Sequence, residues 1–190
     1  MAMANENLVG RARRGNGWRI AGWGTAVGLV LLPLVAMQFT SEVNWTLGDF
    51  VFAIIMLGIV GLGLELAVRK GNRAYTMAAG LALLVSFLSF WFTGAVGIIG
   101  NENEDSNLLF LGVVLVALAG SAIALFRAKG MAVAMCVAAA AQAAVPAIAS
   151  IISDSSMSAI WAPGVMVLTI LFTAMWLVSA RLFHAAARRV

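Results

Sequence analysis

Two acidic residues, Asp49 and Glu65, flank a long apolar stretch and are the first candidates for chemistry in this sequence. Residues 50–64 between them carry no charged or amide side chain, which is typical of a helix that crosses a membrane. Along a helix the two acids are separated by about 24 Å and point to nearly opposite faces. The carboxylates therefore cannot form a pair for acid–base catalysis or for metal binding.

Each acid also has a possible partner at helical spacing. Thr46 and Asp49 match the capping box that satisfies free N–H groups at a helix start, so we expect Asp49 to serve as a cap. Glu65 precedes Arg69 by one helical turn, in the orientation that favours an ion pair. Glu65 is interpreted either as half of a structural ion pair at the inner membrane edge or as a carboxylate that handles protons or cations at a cytoplasmic opening.

Gln142 is the polar residue that lies deepest in an apolar segment, near the middle of residues 131–152. Pro146 follows one turn later and has no N–H, so the carbonyl of Gln142 loses its helical partner. Ser86, in another segment, should reach a similar depth. We predict that Gln142 faces protein rather than lipid, either in a structural hydrogen bond or at a hydrated path or binding pocket beside a broken helix.

The stretch NENEDSN supplies an acidic cluster, Glu102, Glu104 and Asp105. Carboxylates of this kind can bind a hard cation, but the ligand spacing and glycine of a calcium loop are missing. The alternative is a solvated acidic loop in which Ser106 or Asn107 caps the next helix.

The remaining residues exclude several chemistries. A single cysteine, Cys136, excludes an intramolecular disulfide and a thiolate metal cage, and a single histidine, His184, excludes a two-histidine metal site. Nucleophile elbows, HExxH motifs and phosphate loops are missing, and no lysine lies in the interior of an apolar segment. We therefore predict neither an enzyme nor a resident cofactor or metal.

Composition identifies the elements that must position these residues. Of the 190 residues, 63% are hydrophobic and 11% are charged, which is far from the composition of a soluble domain. The sequence predicts an all-α, polytopic membrane protein, a single bundle of six transmembrane helices with short loops, between tails at 1–17 and 184–190. The predicted spans are 18–39, 46–70, 74–98, 108–126, 131–152 and 162–183.

The charges are divided between the two ends of these spans. All 12 lysines and arginines fall in the tails, in the loops after the second and fourth spans, or on the adjoining helix ends. Under the positive-inside rule, both termini are cytoplasmic. The net charge of +4 is explained by this rule, so we expect no nucleic-acid partner. Six of the eight acids lie at the opposite ends: Glu42, Asp49, Glu102, Glu104, Asp105 and Asp154.

Partners are expected within the membrane. Lipids surround any such protein, and Gly24 and Gly28 form a GxxxG pair that permits close helix approach. Glycine-rich helix faces therefore favour a homo-oligomer.

Three stretches, EVNWTLGDFVFA, GAVGIIGNENEDSN and FRAKGMAVAM, resemble a family of small, uncharacterised bacterial six-helix inner-membrane proteins. The resemblance runs from the first span to the C-terminus and implies a bacterial inner membrane, but no activity. Two functions stay open. One is a small-solute or ion permease with a polar site near the bilayer centre. The other is an accessory, sensory or structural subunit that binds lipid or a partner protein.

Overall fold

The computed structural model describes residues 2–70, 72–95, 97–100, 104–152 and 155–188. These residues form helices and connecting turns without any strand. A single 3-10 turn, Asp105–Asn107, precedes the fourth helix. The helices are α1 (Ala2–Ala36), α2 (Leu47–Arg69), α3 (Arg73–Ala95), α4 (Leu108–Ile123), α5 (Ala128–Ile152), α6 (Met157–Ile160) and α7 (Pro163–Ala187).

The predicted all-α class and the six membrane-length helices are confirmed, since every helix except α6 is long and apolar enough to cross a bilayer. The bounds differ at the ends. Residues 2–17, expected as a tail, continue α1, because their alanine, glutamate and arginine residues favour helix. The four-residue helix α6 was not predicted, since it lies in a segment interpreted as a loop. Its start is capped by Ser156, whose hydroxyl accepts a hydrogen bond from the N–H of Ala159 at 3.2 Å.

The chain divides into two compact units, Met1–Leu62 and Gly63–Val190. In the first unit, the predicted capping box is present at the start of α2. The carboxylate of Asp49 accepts from the N–H of Thr46 at 2.7 Å, and the hydroxyl of Thr46 accepts from the N–H of Asp49 at 3.4 Å. The ring of Trp23 on α1 lies so close to Gly61 that a Cβ there would come within 2.9 Å of it.

In the second unit, α7 packs against both α3 and α5, and α4 packs against α5. The hydroxyl of Ser179 on α7 donates to the carbonyl of Ala78 on α3 at 2.8 Å. One turn away, the rings of Tyr75 and Phe183 meet edge to face with centroids 5.0 Å apart. The centre of this unit is filled by fully buried aromatic side chains: Phe110, Phe172, Trp176 and Phe183.

The unit has a basic end and an acidic end. At the basic end, Lys70 and Tyr75 contact the turn between α4 and α5 through the carbonyl of Phe126. The basic residues at this end include Arg69, Lys70, Arg73, Arg127 and Lys129. The acidic end carries Glu104 and Asp105, close to the beginning of α4.

The acidic end is organised by a buried asparagine. The side-chain oxygen of Asn107 accepts from the N–H groups of Ile98 and Ile99, both at 2.7 Å, and its amide donates to the carbonyl of Ile99 at 3.2 Å. The hydroxyl of Ser106 meets that of Ser155 at 2.5 Å. Asn107 occupies the predicted N-cap position of α4, but its side chain makes no capping hydrogen bond there, because it binds Ile98 and Ile99 instead.

Candidate functional site

A cavity of about 400 Å³ opens into the second unit near its basic end. Its size falls within the range of about 300–1,000 Å³ that is usual for small-molecule sites. Five helices and the turn between α4 and α5 contribute to its walls. The lining residues are Gly63, Leu66, Ala67, Lys70, Tyr75, Ala79, Ala82, Leu83, Ser86, Ala117, Leu118, Ser121, Leu125, Phe126, Met131, Met135 and Trp176.

The cavity has an exposed rim and a buried floor. Leu66, Leu118 and Leu125 on the rim are largely exposed, whereas Met135 and Trp176 on the floor are fully buried. Exposed leucines of this kind contact lipid chains in a membrane, so the opening between them can be reached from the hydrocarbon.

One charged group stands at the mouth. Of the lining residues that the structure describes, Lys70 alone carries a charge. Its ammonium donates to the carbonyl of Phe126 at 3.1 Å and lies 5.1 Å from the centre of the Tyr75 ring. The hydroxyl of Tyr75 donates to the same carbonyl at 2.9 Å. A single backbone oxygen therefore holds both polar groups at the opening.

That oxygen is presented by an unusual turn at the end of α4. Leu125 and Phe126 adopt φ values of 49° and 54°, a left-handed conformation that costs about 1–2 kcal/mol per non-glycine residue. The N–H of Phe126 turns back to the carbonyl of Ser121 at 3.1 Å, which closes the helix end. The strain leaves the carbonyl of Phe126 free of the helix and directed to Lys70 and Tyr75. Strained residues of this kind are concentrated at ligand clamps and switches.

The turn is supported by close approach of α4 and α5. A Cβ on Gly120 would lie 2.8 Å from the Cβ of Ala134, and one on Gly130 would lie 2.6 Å from that of Ala124. Glycine at these two positions lets the helices meet directly below the cavity mouth.

The cavity is limited in depth. Its most distant lining residues, Ser86 on α3 and Trp176 on α7, lie about 20 Å and about 17 Å from the basic ends of their helices. The hydrocarbon core is about 30 Å thick, so the cavity passes its middle and ends before the acidic end. Its lining is almost wholly apolar, with two serine hydroxyls that already donate to carbonyls in their own helices, Ser86 to Ala82 and Ser121 to Ala117.

Only one of the candidate residues that were predicted within the helices lines this cavity. Ser86 lines it, but Glu65, Arg69, Gln142 and Pro146 do not. Glu65 and Arg69 form the ion pair that their spacing indicates, with 3.1 Å between Oε1 and a guanidinium nitrogen. The arginine side chain is 68% exposed, whereas that of the glutamate is 13% exposed and therefore largely covered by protein.

Gln142 is fully buried, as expected of a residue that faces protein. Neither its amide nitrogen nor its amide oxygen has a hydrogen-bond partner among the described residues. Pro146 is buried as well, and its carbonyl accepts from the hydroxyl of Ser150 at 2.8 Å. Gln142 and Ser86 therefore belong to different sites, although the sequence places them at similar depth.

The acidic cluster is only partly described. Glu102 lies outside the described residues, and Asp105 begins the 3-10 turn. The carboxylate of Glu104 accepts a hydrogen bond from the hydroxyl of Ser155 at 2.8 Å. Groups of three or more potential metal ligands are not found among the described residues.

The residues that form the mouth were not identified from the sequence. Lys70 was interpreted as a topology signal and Phe126 as part of a helix end, and Tyr75 attracted no functional interpretation. The only signal available was that two basic loops, RKGNR and FRAKG, share one end of the bundle. Sequence reasoning does not show that they touch, because the contact depends on the left-handed turn.

Comparison of the chain with protein-family models, with curated proteins and with solved structures found no match. The geometry of the site therefore supplies the basis for a functional conclusion.

Proposed function

We propose that this multi-pass membrane protein binds an anionic amphiphile, with an apolar chain in the cavity and the head group at Lys70. The observation that carries the proposal is the combination of one ammonium group at the mouth with an almost wholly apolar lining. This function corresponds to an accessory or sensory subunit that binds lipid.

The head group supplies most of the selectivity. A lipid chain moves from one apolar environment to another when it leaves the bilayer for the cavity, so it gains little hydrophobic free energy. A basic side chain near the membrane surface contributes about 1 kcal/mol toward an anionic lipid, which corresponds to about a fivefold difference in affinity. The lateral opening admits the chain without removing it from the membrane.

The orientation supports an anionic head group. By the positive-inside rule, the basic end faces the cytoplasm and both termini are cytoplasmic. Lys70 then lies at the cytoplasmic leaflet, where negatively charged lipids create an attractive surface potential. The resemblance in sequence to small bacterial inner-membrane proteins favours the bacterial plasma membrane as the location.

A second candidate function, a permease for a small polar solute, rests on Gln142. Its buried, unpaired amide at mid-depth is the type of group that binds a solute inside a bundle. The lining of the cavity favours the amphiphile, because a hydrophilic solute would meet chiefly alanine, leucine and methionine side chains there.

Native mass spectrometry of the protein released from nanodiscs tests the proposal. Phosphatidylglycerol and phosphatidylethanolamine with identical acyl chains are supplied in equal amounts. We expect preferential retention of one anionic lipid, and a decrease in this preference of about fivefold in Lys70→Gln. Lys129→Gln is the matched control, because Lys129 is exposed at the same end and does not line the cavity.

A second variant separates the chain from the head group. Ala82 lines the cavity, so Ala82→Leu should reduce retention of both lipids by filling the space for the chain. Equal retention of the two lipids by the wild type, or equal losses in Lys70→Gln and Lys129→Gln, would contradict the proposal.

A further inference from the structure

Several buried polar side chains of α5 and α7 lack hydrogen-bond partners. The indole nitrogen of Trp176, the hydroxyls of Thr169 and Thr173, and both amide atoms of Gln142 are buried without a hydrogen-bond partner among the described residues. Trp176, Thr169 and Gln142 are each less than 5% exposed as whole residues. These five unpaired polar atoms need an explanation, because buried polar groups in native proteins are nearly always paired.

The three residues on α7 share one face of the helix. Thr169, Thr173 and Trp176 are spaced by four and three residues, which aligns their side chains in a row about 10 Å long. The row begins at Trp176 on the floor of the cavity and runs toward the acidic end.

Gln142 lies on α5 at the depth of this row. The two helices pack against each other, and their acidic ends lie side by side, because the indole of Trp161 donates to the hydroxyl of Ser150 at 3.0 Å. Gln142 lies about 15 Å from the acidic end of α5, and Thr169 and Thr173 lie about 9 Å and about 15 Å from that of α7. The amide is therefore level with the row rather than above or below it.

The chemistry of these atoms identifies the ligand that they need. The indole and the amide nitrogen donate, the amide oxygen accepts, and each hydroxyl does both. A group that bears a net charge would find no counter-ion among these residues, and a purely apolar group would leave every atom unpaired. Water satisfies donors and acceptors together. With hydrogen bonds of about 2.8 Å, one water joins atoms about 5 Å apart, so a 10 Å row takes roughly two waters.

We infer that the α5–α7 interface contains an internal water site, formed by Gln142, Thr169, Thr173 and Trp176, which begins at the floor of the cavity. Bulk solvent cannot reach these atoms from the hydrocarbon region, so the waters are retained in the fold as structural ligands. This site shares Trp176 with the proposed amphiphile site but does not depend on it, since Gln142, Thr169 and Thr173 do not line the cavity.

Isosteric substitutions test the inference by the sign of their effect on the melting temperature, Tm. If the hydroxyls bind water, Thr169→Val and Thr173→Val each remove a hydrogen bond and lower Tm by about 2–4 °C. If the hydroxyls lie in dry packing, the same changes remove an unpaired polar atom and raise Tm. Thr76→Val is the matched control, because the Thr76 hydroxyl donates to the carbonyls of Asn72 and Ala67 within the protein. It should lower Tm in either case.

Nuclear magnetic resonance supplies a readout that does not depend on stability. In protein labelled with ¹⁵N-tryptophan in nanodiscs, the indole signal of Trp176 is assigned by its loss in Trp176→Phe. We expect a cross-peak between this indole proton and water, and its loss when the α7 threonines are replaced by valine. An indole proton with no contact to water, together with raised Tm in both valine variants, would overturn the inference. Lipid retention should be unchanged in Thr169→Val, so failure of the water site is distinguishable from failure of the amphiphile site.

Discussion

Asn107 should be among the most sensitive positions for stability in this protein. Its side chain is 1% exposed and makes three hydrogen bonds to the backbone of Ile98 and Ile99, which are themselves buried. Asn107→Leu keeps the branched shape and the number of heavy atoms of the side chain but removes all three bonds and leaves two N–H groups unpaired. At about 1–3 kcal/mol for each buried donor left without a partner, the expected loss in free energy of unfolding is about 2–6 kcal/mol.

The loss is measured as a change in Tm by intrinsic fluorescence in nanodiscs. For a chain of this size, 1 kcal/mol corresponds to about 2–4 °C, so Tm should fall by roughly 4–24 °C. Asn44→Leu is the matched control, because Asn44 is exposed in a loop and should change the free energy of unfolding by less than about 0.5 kcal/mol. A decrease for Asn107→Leu no larger than that of the control would refute the account of how Asn107 holds the loop.

Two further predictions concern the ion pair and the topology. Glu65→Gln and Arg69→Gln should each cost about 0.3–0.5 kcal/mol, because the arginine is largely exposed, and the double variant should cost less than the sum of the two in thermal unfolding. Strict additivity would show that the side chains do not interact in the membrane. In a variant whose native cysteine is replaced by serine, Asn103→Cys should react with an impermeant thiol reagent from outside intact cells, whereas Arg73→Cys should react only after the membrane is opened. Labelling of both from the same side would contradict the proposed orientation.

Much of the fold could be predicted because its signals are local. Each long helix is marked by a run of apolar residues that is long enough to cross a bilayer. Contacts between residues one helical turn apart follow directly from their spacing. The ion pair of Glu65 with Arg69 and the capping box of Thr46 with Asp49 are examples. The short helix α6 could not be predicted in this way, because the periodicity of four residues does not distinguish a helix from a turn.

The candidate sites could be predicted only in part, because their signals are not local. The mouth of the cavity joins Lys70 and Tyr75 to the carbonyl of Phe126, more than fifty residues away, through a left-handed turn that no glycine marks. Asn107 stands at the N-cap position of α4 as expected, but the N–H groups that its side chain binds lie across a loop. Gln142 was correctly placed inside the protein, since an amide near the bilayer centre is costly to expose. Its position relative to the cavity depends on how α5 and α7 pack, which hydropathy does not reveal.

We propose above that the cavity holds the chain of an anionic amphiphile with its head group at Lys70. It is tested most directly by an experimental structure of the protein purified in nanodiscs with its own membrane lipids retained. The account predicts one continuous acyl density between Leu66, Leu83 and Leu118, ending in a head group whose oxygens lie within about 4 Å of the Lys70 ammonium. A cavity that is filled with water and open to both membrane faces, with Lys70 still bound only to the carbonyl of Phe126, would contradict the account and favour the permease.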